Sequence, residues 1–237
     1  MKQIAFLIAA SVIAGFGMIG QATAQDARVP TISVDGSGSV DAAPDMATVT
    51  LGVRAEAEEA QAALTATSGA AEKVLEALSG LGIESRDIQT QSITLNPVWS
   101  NRQSSDDAPP RITGYEASNE VSVRVRDLDR LGEVLDSVAG AGANTLQSLR
   151  FGLVDPEPLR DEARAAAVRD ALRQANIYAD AAGLSLGRIQ SIEARGRNGG
   201  GPVMMESASF ARSSVPVATG EVSVNDSVTL EIELIDE

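Results

Sequence analysis

Apolar and polar residues alternate in several short stretches of the chain, which is the pattern of strands with one buried face. The first such stretch places Ala47, Val49, Leu51 and Val53 between threonines and a glycine. In a second, Ile88, Ile93 and Leu95 are expected to be the buried positions. Further alternating stretches predict strands at 121–126, 145–154, 188–195 and 222–234.

Three segments between these strands carry apolar residues three and four positions apart, a spacing typical of helices with a buried stripe. The first covers 57–81, the second follows Asp127, a candidate N-cap, and the third runs from Asp155 to Gly183. The predicted fold class is α+β, with antiparallel or mixed sheets and three main helices. The buried stripe expected for the third helix comprises Val168, Leu172, Ala175, Ala179 and Ala182.

Two helix endings are similar in sequence, "VLEALSGLG" at 74–82 and "VLDSVAGAG" at 134–142. Each lies between a preceding and a following predicted strand. This similarity predicts an internal β-α-β duplication. It also predicts that one domain over 25–237 contains two subunits of about 29–110 and 111–237.

The first 24 residues have the three parts of a secretory signal peptide. Lys2 supplies the positive charge, 4–19 the apolar segment, and Ala22 to Ala24 the small residues of a cleavage site. The apolar run is shorter than the roughly 20 residues needed to span a bilayer. We therefore expect cleavage after Ala24, export to the periplasm, and no transmembrane anchor in the mature chain.

The composition excludes several classes of function. The formal charge is −14 and becomes −15 when Lys2 leaves with the signal peptide, which disfavours nucleic acid and anionic membranes as partners. The chain has no His and no Cys. It can therefore form no catalytic triad that needs an imidazole, no Cys/His zinc site and no disulfide.

The glycine-rich stretch Gly36–Gly38 could bind a phosphate, but a phosphate loop needs a helix directly after its glycines. Pro44 and a strand follow here, so the glycines are expected to shape a bulge or twist in a strand instead. Calcium binding by Asp35, Asp41 and Asp45 is similarly disfavoured, because their spacing matches no calcium motif. We expect no catalytic residue, no cofactor and no metal site.

Two other sets of polar residues carry weak signals. Carboxylate pairs suited to glycoside hydrolysis arise by chance among 33 acidic residues. Arg111, Tyr115 and Asn119 could form a polar site, although routine polar positions at a strand edge explain them better.

Four large apolar residues in polar surroundings are candidate interface residues. Trp99, the only tryptophan, lies at the start of a polar loop, and a second long loop follows residue 195. Trp99 could anchor a partner or could equally cap the hydrophobic core below its strand. The second loop favours contact more clearly, because solvated loops rarely need three large apolar groups. The candidate interface residues are Trp99, Met204, Met205 and Phe210.

Four stretches of the chain together resemble the SIMPL-domain family, whose bacterial members include periplasmic immunogenic proteins. They are "GSGSVDAAPDMATVTLGV", "GIESRDIQTQSITLNPVW", "ITGYEASNEVSVRVRDLDRLGEVLDSVAGAGANTLQSLRFGLVD" and "AAAVRDALRQANIYADAAGLSLGRI". The resemblance implies an α+β fold, an envelope location and, in some members, ring-like or channel-like oligomers. It offers no catalytic motif, and it associates bacterial relatives with tolerance of oxidative stress.

The sequence thus predicts an exported, non-enzymatic periplasmic protein that forms a homo-oligomer and has an envelope or oxidative-stress-related role. An envelope protein is a further candidate partner. A periplasmic ligand-binding module is the alternative, followed by a carboxylate-based envelope enzyme.

Overall fold

The computed structural model describes residues 29–100, 109–194, 204–205 and 218–236. The predicted signal peptide and Phe210 therefore lie outside the described residues. The helices of this part are α1 (Ala60–Gly80), α2 (Leu131–Ala141) and α3 (Glu157–Ala182). Its strands are β1 (Thr31–Ala42), β2 (Met46–Ala57), β3 (Ile88–Trp99), β4 (Ile112–Val125), β5 (Thr145–Gly152), β6 (Leu184–Ala194), β7 (Met204–Met205) and β8 (Glu221–Asp236).

Four strands form an antiparallel sheet in the order β3-β4-β2-β5, here called the β3 sheet. The chain passes twice through a β-α-β order, first as β2-α1-β3 and then as β4-α2-β5. In the sheet, β4 lies between β2 and β3, and β2 lies between β4 and β5. The two halves therefore interlock in one split β-α-β layer. The α+β class and the three helices are confirmed, whereas an origin by duplication stays a prediction.

Helices α1 and α2 cover one face of the β3 sheet and exclude water from its central strands. The apolar residues of the alternation predicted around Val49 lie on this face. The neighbouring strand β4 contributes apolar residues to the same face. The buried residues that form this core include Ala47, Val49, Leu51, Val53, Val74, Leu78, Val121, Val123, Val125, Leu131, Val134, Val138 and Phe151.

The remaining strands form a second antiparallel sheet in the order β1-β8-β6, here called the β1 sheet, to which β7 adds beside β8. Helix α3 covers one face of it. The helix begins where the backbone N–H of Glu157 donates to the Asp155 carboxylate, and Gly183 ends it with a φ of +70°. The predicted C-terminal end at Gly183 is thus confirmed, whereas the helix begins two residues after Asp155, with Pro156 at the N-cap position.

Helix α3 lies unusually close to β1 because both elements present small residues at the contact. Gly36 and Gly38 face the helix, and a Cβ on either would stand 2.6 Å from a backbone nitrogen, that of Ala171 or Ala167. The register between β1 and β8 is unbroken, so the glycines permit close packing and form no bulge. The buried stripe of the helix is an alanine at every fourth position, namely Ala163, Ala167, Ala171, Ala175 and Ala179.

This alanine stripe corrects the sequence-based one. Val168 and Leu172 pack only at the side of the contact, where they are partly buried, and Ala182 is exposed. A larger side chain at the centre of the contact would hold the helix away from the glycines.

Extensive packing between elements occurs within each sheet and its own helices. Two short connections, 43–45 and 153–156, join the β1 sheet to the β3 sheet. They are held side by side, because the Asp45 N–H donates to the Gly152 carbonyl at 3.1 Å and the Val154 N–H donates to the Asp45 carboxylate at 2.7 Å. The sequence-based subunit boundary near residue 110 falls between the paired strands β3 and β4, and that division stays a prediction.

We expect Gly38→Ala to destabilise the fold by about 1–3 kcal/mol, because the added methyl group would push α3 away from β1. Urea denaturation measures this loss. Gly69→Ala is the matched control, since Gly69 lies in α1 with nothing within 4 Å of its added Cβ. This control should be neutral or gain up to about 1 kcal/mol. Equal stability of the two variants would contradict the close-packing account.

Candidate interaction surface

The face of each sheet opposite its helices is lined by polar side chains that bond to one another. On the β1 sheet the Thr229 hydroxyl donates to Asp35 at 2.6 Å and the Ser223 hydroxyl donates to Asp41 at 2.5 Å. On the β3 sheet the hydroxyl of Ser92 donates to Glu120 at 3.1 Å. These faces are therefore polar, with hydrogen bonds between side chains of neighbouring strands.

The three aspartates considered for calcium do not come together. Asp35 and Asp41 are six residues apart on β1, a distance of about 20 Å along a strand. Asp45 lies in the connection between the sheets and bonds to the backbone of Val154. In the described part of the chain, no group of three or more acidic residues is arranged to hold a metal ion.

Arg111, Tyr115 and Asn119 do not converge on a common point either. Arg111 precedes β4 and is exposed, whereas Tyr115 and Asn119 lie on the strand with Ala117 between them. The side-chain oxygen of Asn119 is buried and, among the described residues, is the one such atom without a hydrogen-bond partner.

The edges of the sheets differ in how they are protected from pairing with another strand. At the edge strand β1, side chains of α3 bond to the backbone: the Ser37 N–H donates to Asp170 at 3.2 Å, and Gln174 donates to the Asp35 carbonyl at 2.9 Å. The edge strands β5 and β6 carry charges, which also discourage pairing.

Strand β3 is an edge strand of 12 residues that contains no charged residue. Between Ser92 and Asn96 its hydrogen bonds run to β4 alone among the described residues. The outer backbone groups of this segment are therefore available to another strand.

Apolar side chains project from this uncharged edge into solvent. Ile93 and Leu95 are 64% and 39% exposed, and they pair with Asn119 and Ala117, which share a face with buried Val121. They lie on the helix-covered side of the sheet, but α1 packs mainly over β2 and β4. The expectation that Ile93 and Leu95 are buried is therefore wrong, because β3 extends past the cover of the helix.

Trp99 ends the same strand opposite Ile112, and the two side chains are 55% and 47% exposed. Together, Ile93, Leu95, Trp99 and Ile112 are called the β3 surface below. Met204 and Met205 form β7, which pairs with the first residues of β8 in the other sheet. Strand β7 and the β3 surface thus belong to different sheets.

A buried ion pair fixes the start of β3. The carboxylate of Asp87, 4% exposed, accepts two hydrogen bonds of 2.8 Å from Arg126 and lies 3.3 Å from Arg124. The Arg126 hydrogen bonds, with the charges of Arg126, Arg124 and Arg86, hold the pKa of Asp87 below its ordinary value although burial raises it. The pair connects the turn before β3 to the end of β4.

We expect Asp87→Asn to cost roughly 1–3 kcal/mol at neutral pH, because it removes a charged acceptor from two arginines. Since the folded pKa is lowered, the stabilisation is complete above the unfolded pKa of about 4 and is lost as the pH falls below it. Urea denaturation from pH 7 to pH 2 should therefore show the difference from wild type shrinking below about pH 4. Glu76→Gln, at an exposed position of α1, is the control; a constant difference for Asp87→Asn would contradict the assignment.

Comparisons with known proteins place these features in a family. Residues 32–232 match the SIMPL family, described as a protein of unknown function (DUF541). The 26 kDa periplasmic immunogenic protein of Brucella melitensis is 37% identical over 235 residues, covering 96% of this chain and 93% of that protein.

Two relatives named uncharacterized protein YggE are similar over a shorter span. That of Edwardsiella ictaluri is 34% identical and covers 72% of each chain, and that of Escherichia coli K12 is 33% identical, covering 69% of this chain and 65% of its own. The family match extends from β1 to β8 and includes both sheets and all three described helices. The chain therefore belongs to the SIMPL family.

Proposed function

We propose that this chain is a periplasmic, non-enzymatic protein that assembles with copies of itself and has an envelope or oxidative-stress-related role. The observation that carries the proposal is the β3 surface, where apolar side chains project from an uncharged strand edge. Exposed apolar groups beside free backbone groups are typical of surfaces that bind another chain.

The periplasmic location is supported by the name of the Brucella relative and by the residues expected to form the signal peptide. No helix in the described ranges is at once long and apolar enough to cross a membrane. The mature chain proposed here begins at Gln25.

The non-enzymatic part of the proposal is supported by how the acidic side chains are used. Asp35, Asp41 and Asp87 each bond to a neighbouring hydroxyl or guanidinium group. Because the chain has no Cys, a role in oxidative stress would not proceed through thiol chemistry.

The candidate interface residues named from the sequence are part of this proposal. Trp99 is supported by its exposure at the end of β3. Met204 and Met205 form β7 beside β8, and Phe210 lies outside the described residues. A contact through Met204 or Met205 would be a second interface, formed at the β1 sheet.

Light scattering on the purified mature protein tests the assembly. We expect a particle mass of at least twice that of the single chain at micromolar concentration, because burial of apolar surface favours association. Dilution should lower the mass, as for any reversible assembly. A monomer at every concentration up to hundreds of micromolar would refute the assembly.

Trp99 also provides a direct optical test, since it is the only tryptophan of the chain. We expect its emission to move to shorter wavelength as the concentration rises through the assembly range, because its exposed indole would become buried. Trp99→Phe removes the tryptophan emission altogether, so its effect is read from the particle mass, which should fall at a fixed concentration while circular dichroism shows an unchanged fold. Emission that does not change while the particle mass rises would remove Trp99 from the interface.

A further inference from the structure

We infer that the partner at the β3 surface is the β3 strand of a second copy, paired antiparallel about a twofold axis at Thr94. This inference rests on the proposed assembly and specifies its contact. Two β3 sheets joined in this way become one continuous sheet across two copies of the chain.

The available backbone groups require a strand as the occupant. From Ser92 to Asn96 the outer edge of β3 has N–H and C=O groups with no partner in the described structure. A helix or an apolar ligand could cover Ile93 and Leu95 but would leave these groups unpaired. An added strand satisfies the backbone and covers the side chains together.

The charge of the chain favours β3 of another copy over the other edges. Two copies of a chain with a net charge of −14 repel each other wherever their acidic residues meet. Because β3 has no charged residue, antiparallel pairing with itself places no like charges opposite one another. Self-pairing of β1 would bring Asp35 and Asp41 to the contact, besides displacing the bonds from α3.

Two local features limit the paired segment. The register of β3 against β4 shifts between Thr90 and Ser92, and Pro97 has no N–H to donate. The regular segment between them is 92–96, and its central residue is Thr94. These features limit the backbone ladder to 92–96, and the contact closes at two copies because each copy uses the same edge. Trp99 lies beyond this ladder, so its burial on assembly would come from side-chain contact with the other copy.

The register about Thr94 pairs side chains of similar character. Ile93 of one copy lies opposite Leu95 of the other, on the helix-covered side, and Ser92 lies opposite Asn96 on the hydrated side. The Ile–Leu contact occurs twice because the axis is twofold. All four apolar side chains become cross-strand neighbours, which is the arrangement that stabilises a sheet.

A double substitution tests the contact. Ile93→Lys with Leu95→Lys should at least halve the particle mass at a fixed micromolar concentration, because it places lysines opposite each other across the axis. Leu146→Lys is the matched control: Leu146 is 61% exposed on β5, the other edge of the same sheet, and its substitution should leave the mass unchanged. Circular dichroism and thermal melting verify that both variants fold.

Crosslinking tests the register without adding charge. The chain has no Cys, so a Thr94→Cys variant carries a single thiol, and antiparallel pairing about residue 94 brings the two Cα atoms within disulfide distance. Mild oxidation should convert most of the assembled protein into a covalent dimer that a reducing agent reverses. Ile192→Cys, at an exposed position of the edge strand β6, should remain largely monomeric on a denaturing gel.

The outcomes separate this inference from the assembly itself. If the wild type forms a particle larger than one chain, the double lysine variant has the same mass and Thr94→Cys does not crosslink, then β3 pairing is overturned and the assembly stands. A wild-type monomer would overturn both. Loss of mass in the Leu146→Lys control alone would assign the contact to β5 and also overturn the inference.

Discussion

The close contact between α3 and β1 is the constraint on which the second sheet depends. Gly36 and Gly38 leave room for the alanine stripe of the helix, and no larger residue fits at either position without moving a backbone. The contact joins the first strand of the described chain to a helix more than 100 residues later. It therefore holds together a layer whose parts are far apart in sequence.

This contact also determines which edge of the protein is open. Because α3 lies close to β1, Asp170 and Gln174 reach the outer backbone of that strand and close its edge. Helix α1 lies mainly over β2 and β4, at the centre of the other sheet. The difference between a closed edge and an open one follows from how near each helix comes to the edge strand.

The acidic composition and the polar open faces of the two sheets both distinguish β3 from the rest of the surface. Hydroxyl and carboxylate groups bond to each other on both open faces, which makes these faces polar. Strand β3, at the edge of its sheet, has 12 residues and no charge in a strongly acidic chain. The Asp87–Arg126 pair connects the turn before this strand to the end of β4.

Local pattern alone predicted the α+β class, the three helices and the end of α3 at Gly183, because periodicity and capping depend on neighbouring residues. The absence of His and Cys likewise excluded whole classes of site. Only the tertiary structure showed that Ile93 and Leu95 are exposed, since burial depends on which strand lies at an edge and how far a helix reaches. The role of Gly36 and Gly38 could not be predicted from local sequence either. These glycines face the alanines of α3, and a contact between residues so distant in sequence leaves no periodic signal.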